Sequence, residues 1–351
     1  MQEINLKNCT GGEMMGRKEF DLNMDDKQMK SLMKKAKRKQ FWRNLVISVV
    51  VTLVLIVGSI SLLIYFNQKS KREMDQRVYL RQSVQGPNII FNGHTKLSMG
   101  IASGTMMYSS YKNIQGQPVK WIDEIYEYSI FGYGQINYNG NTGLEEENIN
   151  KPSEFATRKD YNRQTMQREM RFYLPFVKYL NYVNDLEKIS ELQNKVAEVA
   201  LSFDKAYTAE EVVKMLPEGI RPVWLWVDTY DETKAETYTG LADPETGAVL
   251  NAEVSMNIFG FKGSYADKKE DEYEDIKGNS MGFIGAMKSL SENKGGYQEY
   301  FRENYNEMKN FESKDLPIYG VVVTGKTEDL QSLQGAPYIK AAVRGVTVEK
   351  Y

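Results

Sequence analysis

Residues 44–68 read NLVISVVVTLVLIVGSISLLIYFNQ, and no charged residue lies between Arg43 and Lys69. The core of this run, Leu45 to Phe66, is long enough to cross a bilayer, because at about 1.5 Å of rise per residue some twenty apolar residues span roughly 30 Å of hydrocarbon. A helix also satisfies its own backbone polar groups, as lipid requires. A buried core helix is the competing reading, but such helices are shorter and keep a polar stripe. Here Leu, Ile and Val cover every face. A cleaved signal peptide needs a shorter apolar core nearer the start and a small-residue cleavage site, and Phe66-Asn67-Gln68-Lys69 offers none. The run therefore predicts a tail over residues 1–43, a membrane helix over 44–67, and a large remainder beyond it.

The flanks set the expected orientation. Within about 17 residues on each side, eight basic residues precede the run (Lys27, Lys30, Lys34, Lys35, Lys37, Arg38, Lys39 and Arg43), and five follow it (Lys69, Lys71, Arg72, Arg77 and Arg81). That bias favours a cytoplasmic N-terminus and an extracytoplasmic C-terminal portion. The one cysteine, Cys9, then falls on the reducing side, and the portion beyond the membrane must be stabilised by its core rather than by disulfides. Trp42 and Tyr65 sit at interfacial depth, where amphipathic rings prefer to lie.

Composition removes several functions. The chain has 45 basic and 47 acidic residues, a balance that argues against direct nucleic-acid binding and leaves the basic cluster to anionic lipid headgroups. With one His, His94, and one Cys on opposite sides of the membrane, no Cys/His nucleophilic pair or zinc cluster assembles within one chain. Glu145-Glu146-Glu147 and the run Asp267 to Asp275 read as solvated, loop-like surface, and DKKEDEYED lacks the alternating order of a calcium loop. FGYGQINYNG is not a dinucleotide fingerprint and no phosphate-binding loop occurs. No enzyme, cofactor or metal is expected. The 23 Tyr and 4 Trp suit half-buried strands. Trp224 and Trp226, at i and i+2 on one strand face, read as sheet packing or as a ligand platform.

The organisation follows from local signals. Met1 to Asp21 holds few large apolar residues and is expected to be disordered alone. From Asp25 or Asp26, which can cap a helix, Met29, Leu32, Met33, Ala36 and Phe41 fall near i+3 or i+4 spacing. This stripe reads as a helix lying on the inner leaflet or as one offered to a groove on a cytosolic partner. Ser70 to Ser83 is expected to continue as a helical stalk. Asn88–Phe91, Leu97–Ile101, Trp121–Tyr128 and Gln135–Tyr138 read as short strands of a β-rich module over 68–155. Asn139 to Asn150 reads as a connection, and Tyr161 to Gln193 as a helix interrupted at Pro175.

Two similar units follow within 156–351. Val196–Phe203 leads through the capping box Thr208-x-x-Glu211 to the helix AEEVVKML and the strand VWLWVDTY. Ile318–Thr324 leads through EDLQSLQ, stopped at Gly335, to a last strand over Ala342–Val348. The class is therefore α+β, with two strand–helix–strand units in a sheet covered on one face, compatible with a ferredoxin-like arrangement or with two unrelated crossovers. Thr239 to Gly263 and the acidic run are inserted between them.

These stretches carry a resemblance. KKAKRKQFWRNL, the apolar run and GPNIIFNG, together with VAEVALSFDKAYTAEEVVKMLP, VWLWVDTY and YGVVVTGKTEDLQSLQGAPYIKAAVRGVTV, resemble the sigma factor regulator family of Gram-positive bacteria. The resemblance implies an anti-sigma-like role, in which the cytoplasmic tail holds, or helps to hold, an extracytoplasmic-function sigma factor and the exported part senses. Zinc-type anti-sigma factors carry H-x-x-x-C-x-x-C in that domain, whereas Cys9 has no preceding His, so any contact here is metal-free. Met29, Leu32, Met33 and Ala36 are the candidate partner-binding residues. Gly58-Ser59 offers close approach to a second helix, hence self-association or a companion membrane protein. The alternative is an envelope-binding or sensory module whose tail only orients insertion.

Overall fold

The computed structural model describes residues 25–137, 140–143, 159–233, 242–243, 245–266, 269–293 and 297–350. The expectations for Met1–Asp21, Cys9 and Glu145–Glu147, and for Asp267 within the acidic run, fall outside those residues. The chain divides into two compact units, residues 1–62 and 63–351.

Helix α1 is a single element, Asp26–Val84. In the first unit its described residues are all exposed, and none of its apolar window is buried against protein. In the second unit its character changes. Met74 and Val78 are buried against Met106, Tyr108, Tyr126 and Tyr128, and Asp75 accepts from Lys71 at 2.5 Å and from the Tyr108 hydroxyl. Gly86, at φ 87°, and Pro87 follow the end of α1, since one supplies a left-handed backbone and the other no N–H.

The β-rich part is a four-stranded antiparallel meander of β1 (Ile89–Met99), β2 (Ser103–Ile114), β3 (Gln117–Ser129) and β4 (Gly132–Gln135). Asn88–Phe91 and Leu97–Ile101, read as two strands, are largely the two ends of β1. The turn Gln115-Gly116 has positive φ at both residues (54° and 88°), as a tight hairpin requires. Two short antiparallel pairs follow: β5 (Asn141–Gly143) with β6 (Asp160–Asn162), and β7 (Arg171–Phe172) with β10 (Glu253–Val254).

The main sheet comprises β8 (Lys195–Tyr207), β9 (Arg221–Val227), β11 (Gly260–Lys262), β12 (Ile318–Lys326) and β13 (Ile339–Glu349), in the order β11-β9-β12-β8-β13. Helix α2 (Ala209–Met215) joins β8 to β9, and α5 (Thr327–Leu330) lies between β12 and β13. β8 and β9 run parallel with β12 between them, and β12 and β13 run parallel with β8 between them, because each neighbouring pair is antiparallel. That interleaving of two strand–helix–strand units is the split βαβ, ferredoxin-like order. Thr208 caps α2 with Glu211 reciprocally, as its sequence predicts. Helices α3 (Lys269–Glu292) and α4 (Gln298–Met308) are inserted between the units with β10 (Glu253–Val254) and β11. They share with α2 and α5 the core on one face of the sheet.

Two local expectations change. Tyr161 to Gln193 is not a helix: it forms β6, β7 and one 3-10 turn, Asp185–Glu191. Every residue from Arg168 to Leu174 is buried, whereas a helix lying on a sheet hides only one stripe. This segment covers the second face with Phe172, Tyr173 and Tyr179. The acidic run is not a loop where it is described, since α3 begins at Lys269 and Asp275 accepts a 2.7 Å hydrogen bond from Ser264. Acidic residues favour the positive end of a helix.

Candidate functional site

The four partner-binding candidates lie on α1 in the first unit. Met29, Leu32 and Met33 are 47%, 53% and 54% exposed, and Ala36 is exposed as well. At about 100° per residue the four occupy roughly 100° of arc, while Lys27, Lys34 and Arg38 take the opposite side. Phe41 does not join them; it lies about 120° round from Met29. The stripe is therefore a narrow apolar face of four residues bordered by cations, free of intrachain burial among the described residues.

The second unit holds a different construction. Lys112 of β2 and Glu198 of β8 meet at 2.6 Å with side chains 1% and 0% exposed. Glu198 also accepts from the Asn88 amide at 2.9 Å and from the Val346 backbone N–H at 3.1 Å. The Tyr265 hydroxyl donates to Asn88 Oδ1 at 2.9 Å, and the Lys112 ammonium lies 4.0 Å over the Trp121 ring. Burying either charge alone would be costly; paired and hydrogen-bonded they fix one register between the meander and the main sheet. Gly345 makes the contact possible, because a Cβ there would come 2.5 Å from Glu198 Oε1. Ile114, Trp121, Val196 and Val346 form an apolar cluster at the same place. The Gln115 amide at the hairpin tip donates to the Thr324 carbonyl of β12 at 2.8 Å.

The end of α1 is tied to the same region. Arg81 donates to Glu124 at 2.5 Å and to the Tyr126 hydroxyl at 2.8 Å, and the Gln85 amide donates to the Met256 carbonyl at 2.8 Å. Burial opposes the Arg81 charge, yet Glu124 and then Tyr126 hold its pKa above the ordinary value. Glu169, which accepts from Asn162 at 3.1 Å, is pushed up by burial, with Lys112 pulling the other way. Between these groups is a cleft of about 80 Å³ lined by Arg81, Trp121, Glu124, Asn162, Glu169 and Met256. The contacts around it tie the end of α1, the meander and the main sheet together, so the region acts as a joint.

Two family models match this chain, one described as sigma factor regulator N-terminal over residues 30–119 and one as sigma factor regulator C-terminal over 186–346. The chain belongs to the sigma factor regulator family. No curated protein and no solved structure matches it. Members of this family are regulatory rather than catalytic, and this regulator is anti-sigma-like, with a sigma factor as its partner. Among the described residues one helix is long and apolar enough to cross a membrane, which suggests a single-pass membrane protein. The buried joint crosses the two matched regions: Asn88 and Lys112 lie in the first, Glu198, Tyr265 and Val346 in the second.

Trp224 and Trp226 are 3% and 0% exposed and pack edge-on against Phe172. They are sheet packing, and no ligand platform is open at these rings. The joint escaped sequence reading, although two signals existed. Glu198 is an acid inside the apolar run VAEVALSF, and Lys112 is the first charge after Lys96. Either charge inside a strand points to a buried partner.

Proposed function

We propose that this regulator holds an extracytoplasmic-function sigma factor through the α1 face formed by Met29, Leu32, Met33 and Ala36, on the cytoplasmic side of a single membrane span. The observation that carries the reading is the exposure of those four side chains on one narrow helical face, the form in which a helix is offered to an apolar groove. The excess of Lys and Arg before the span supports a cytoplasmic N-terminus. On this reading residues 1–43 are the cytoplasmic segment, 44–67 the span, 68–155 the stalk and meander, and 156–351 the α+β domain. Contact with the sigma factor needs no zinc, because Cys9 lacks the companion ligands. A segment that orders on binding loses several kcal/mol of the gross interaction. Membrane confinement, self-association near Gly58 or a companion membrane protein raises the effective concentration and offsets that cost.

The test uses the intact protein, tagged and extracted in mild detergent from its own cells, with the co-purified proteins identified by mass spectrometry. A sigma factor is expected with the wild type and is lost with the double substitution Leu32→Asp and Met33→Asp. Equal recovery of the sigma factor with both forms rejects this surface.

A further inference from the structure

One end of the β1–β4 meander is built from two turns that carry no charge. No charged residue occurs from Leu97 to Tyr111 or from Tyr128 to Gly143, in a chain that is 26% charged. At and beside the turns themselves large side chains point outward: Phe131 is 93% exposed, Met99 68%, Ile101 54% and Leu97 50%. The two turns are neighbours, since the Ile130 N–H donates to the Ala102 carbonyl at 3.0 Å. Their place along α1 is fixed as well. The Asn67 amide donates to the Gly100 carbonyl at 3.2 Å, and Asn67 is the first polar residue after the apolar run that ends at Phe66.

We infer that these two turns, with Phe131, Met99 and Ile101 at their tips, insert into the bilayer interface beside the point where α1 leaves the membrane. The inference rests on the reading that the apolar run of α1 crosses the bilayer, and it names a second, separate contact with the same lipid. Within the second unit the turns adjoin Asn67, next to Leu63–Phe66 at the end of the apolar run. Their backbone suits that setting, because the Gly100 N–H is held by the Ser103 carbonyl at 2.7 Å and the Gly100 carbonyl by Asn67. Groups already paired lose little on leaving water. Phe at the tip and exposed cations set back from it, Lys69 on α1 and Lys96 on β1, match the layering of an interface, with rings among the acyl ends and ammonium groups at the phosphates. Insertion would fix the meander at the membrane surface.

The experiment uses the full chain in liposomes, in a Cys9→Ser background, with an environment-sensitive fluorophore on one new cysteine at a time. The positions are Phe131→Cys and Met99→Cys at the tips, Leu53→Cys within the span and Glu210→Cys on α2 as an exposed reference. The expected result is blue-shifted emission at 131 and 99, quenched by lipid spin-labelled near the headgroup and protected from aqueous iodide, with Glu210→Cys showing the reverse. Leu53→Cys should respond to a quencher placed deep in the acyl chains. A probe at 131 open to iodide and silent to lipid, while position 53 is lipid-quenched, overturns the insertion alone. Protection from both quenchers assigns the tips to a protein contact and also overturns it. A Leu53 probe that remains in water removes the span and the insertion together.

Discussion

Replacing Lys112 by Met tests whether charge pairing holds the meander against the main sheet. The two side chains meet at 2.6 Å and are 1% and 0% exposed, and removing one partner of such a pair costs roughly 3–5 kcal/mol because the other is left buried and uncompensated. Met keeps most of the aliphatic volume, and the Asn88 amide and Val346 N–H still reach Glu198. The lower end, about 3 kcal/mol, is therefore expected near neutral pH. The sign with pH also follows. Glu169 is already held above its ordinary value by burial, and Lys112 pulls it down; without Lys112 it rises further. An acid whose folded pKa exceeds its unfolded value destabilises the fold increasingly as pH rises, so the deficit should shrink toward pH 4.5 and grow above it. Urea unfolding of the detergent-solubilised full chain, followed by fluorescence of the buried Trp121, Trp224 and Trp226, reads the difference. The double variant Lys112→Met with Glu198→Gln should recover part of the loss, since the neutral amide leaves no orphaned charge and its oxygen still accepts from Asn88 and Val346. A single variant within about 0.5 kcal/mol of the wild type, or a double variant no better than the single one, would refute the argument.

Asp228 gives a pH dependence at the other end of the sheet. Burial raises its pKa from 3.8 to about 6, against hydrogen bonds from the Tyr230 N–H and Tyr319, with Glu232 and Glu307 adding to the rise. The folded form therefore holds the proton more tightly, and stability falls as pH climbs from about 4 to about 6, by roughly 3 kcal/mol at about 1.4 kcal/mol per pH unit. Asp228→Asn should flatten that slope in unfolding midpoints measured from pH 4 to pH 7, and an unchanged slope refutes the assignment. Thr208→Ala removes the reciprocal cap of α2 and should cost about 1 kcal/mol, read as faster hydrogen exchange over residues 209–215; equal exchange would show the cap to be dispensable.

Legibility differed from element to element for identifiable reasons. The strand–helix–strand units could be read because the cap at Thr208 and the stop at Gly335 are local signals, independent of what the chain folds against. β2 went unread since its inward positions include Ser110 and Lys112, which defeat any search for alternating apolar residues. Within residues 161–193 the reason is the opposite: charged and aromatic side chains with a helical look are buried without a break from Arg168 to Leu174 against the sheet, and packing overrides propensity. Gly260 shows the same dependence, since a Cβ there would come 2.0 Å from the Leu225 carbonyl oxygen, and nothing in the sequence foretells that neighbour.

The amino-acid sequence by itself determined the apolar helix, the basic flank, the exposed Met29 stripe and the two repeating units, because each depends on residues within a few turns of one another. The tertiary structure decided how the units interleave, which charges become a joint, and which apolar tips are left uncovered. Those outcomes rest on contacts between residues far apart in the chain, such as Asn88 and Glu198 or Asn67 and Gly100, and a pairing of that kind exists only once the backbone has brought its two sides together.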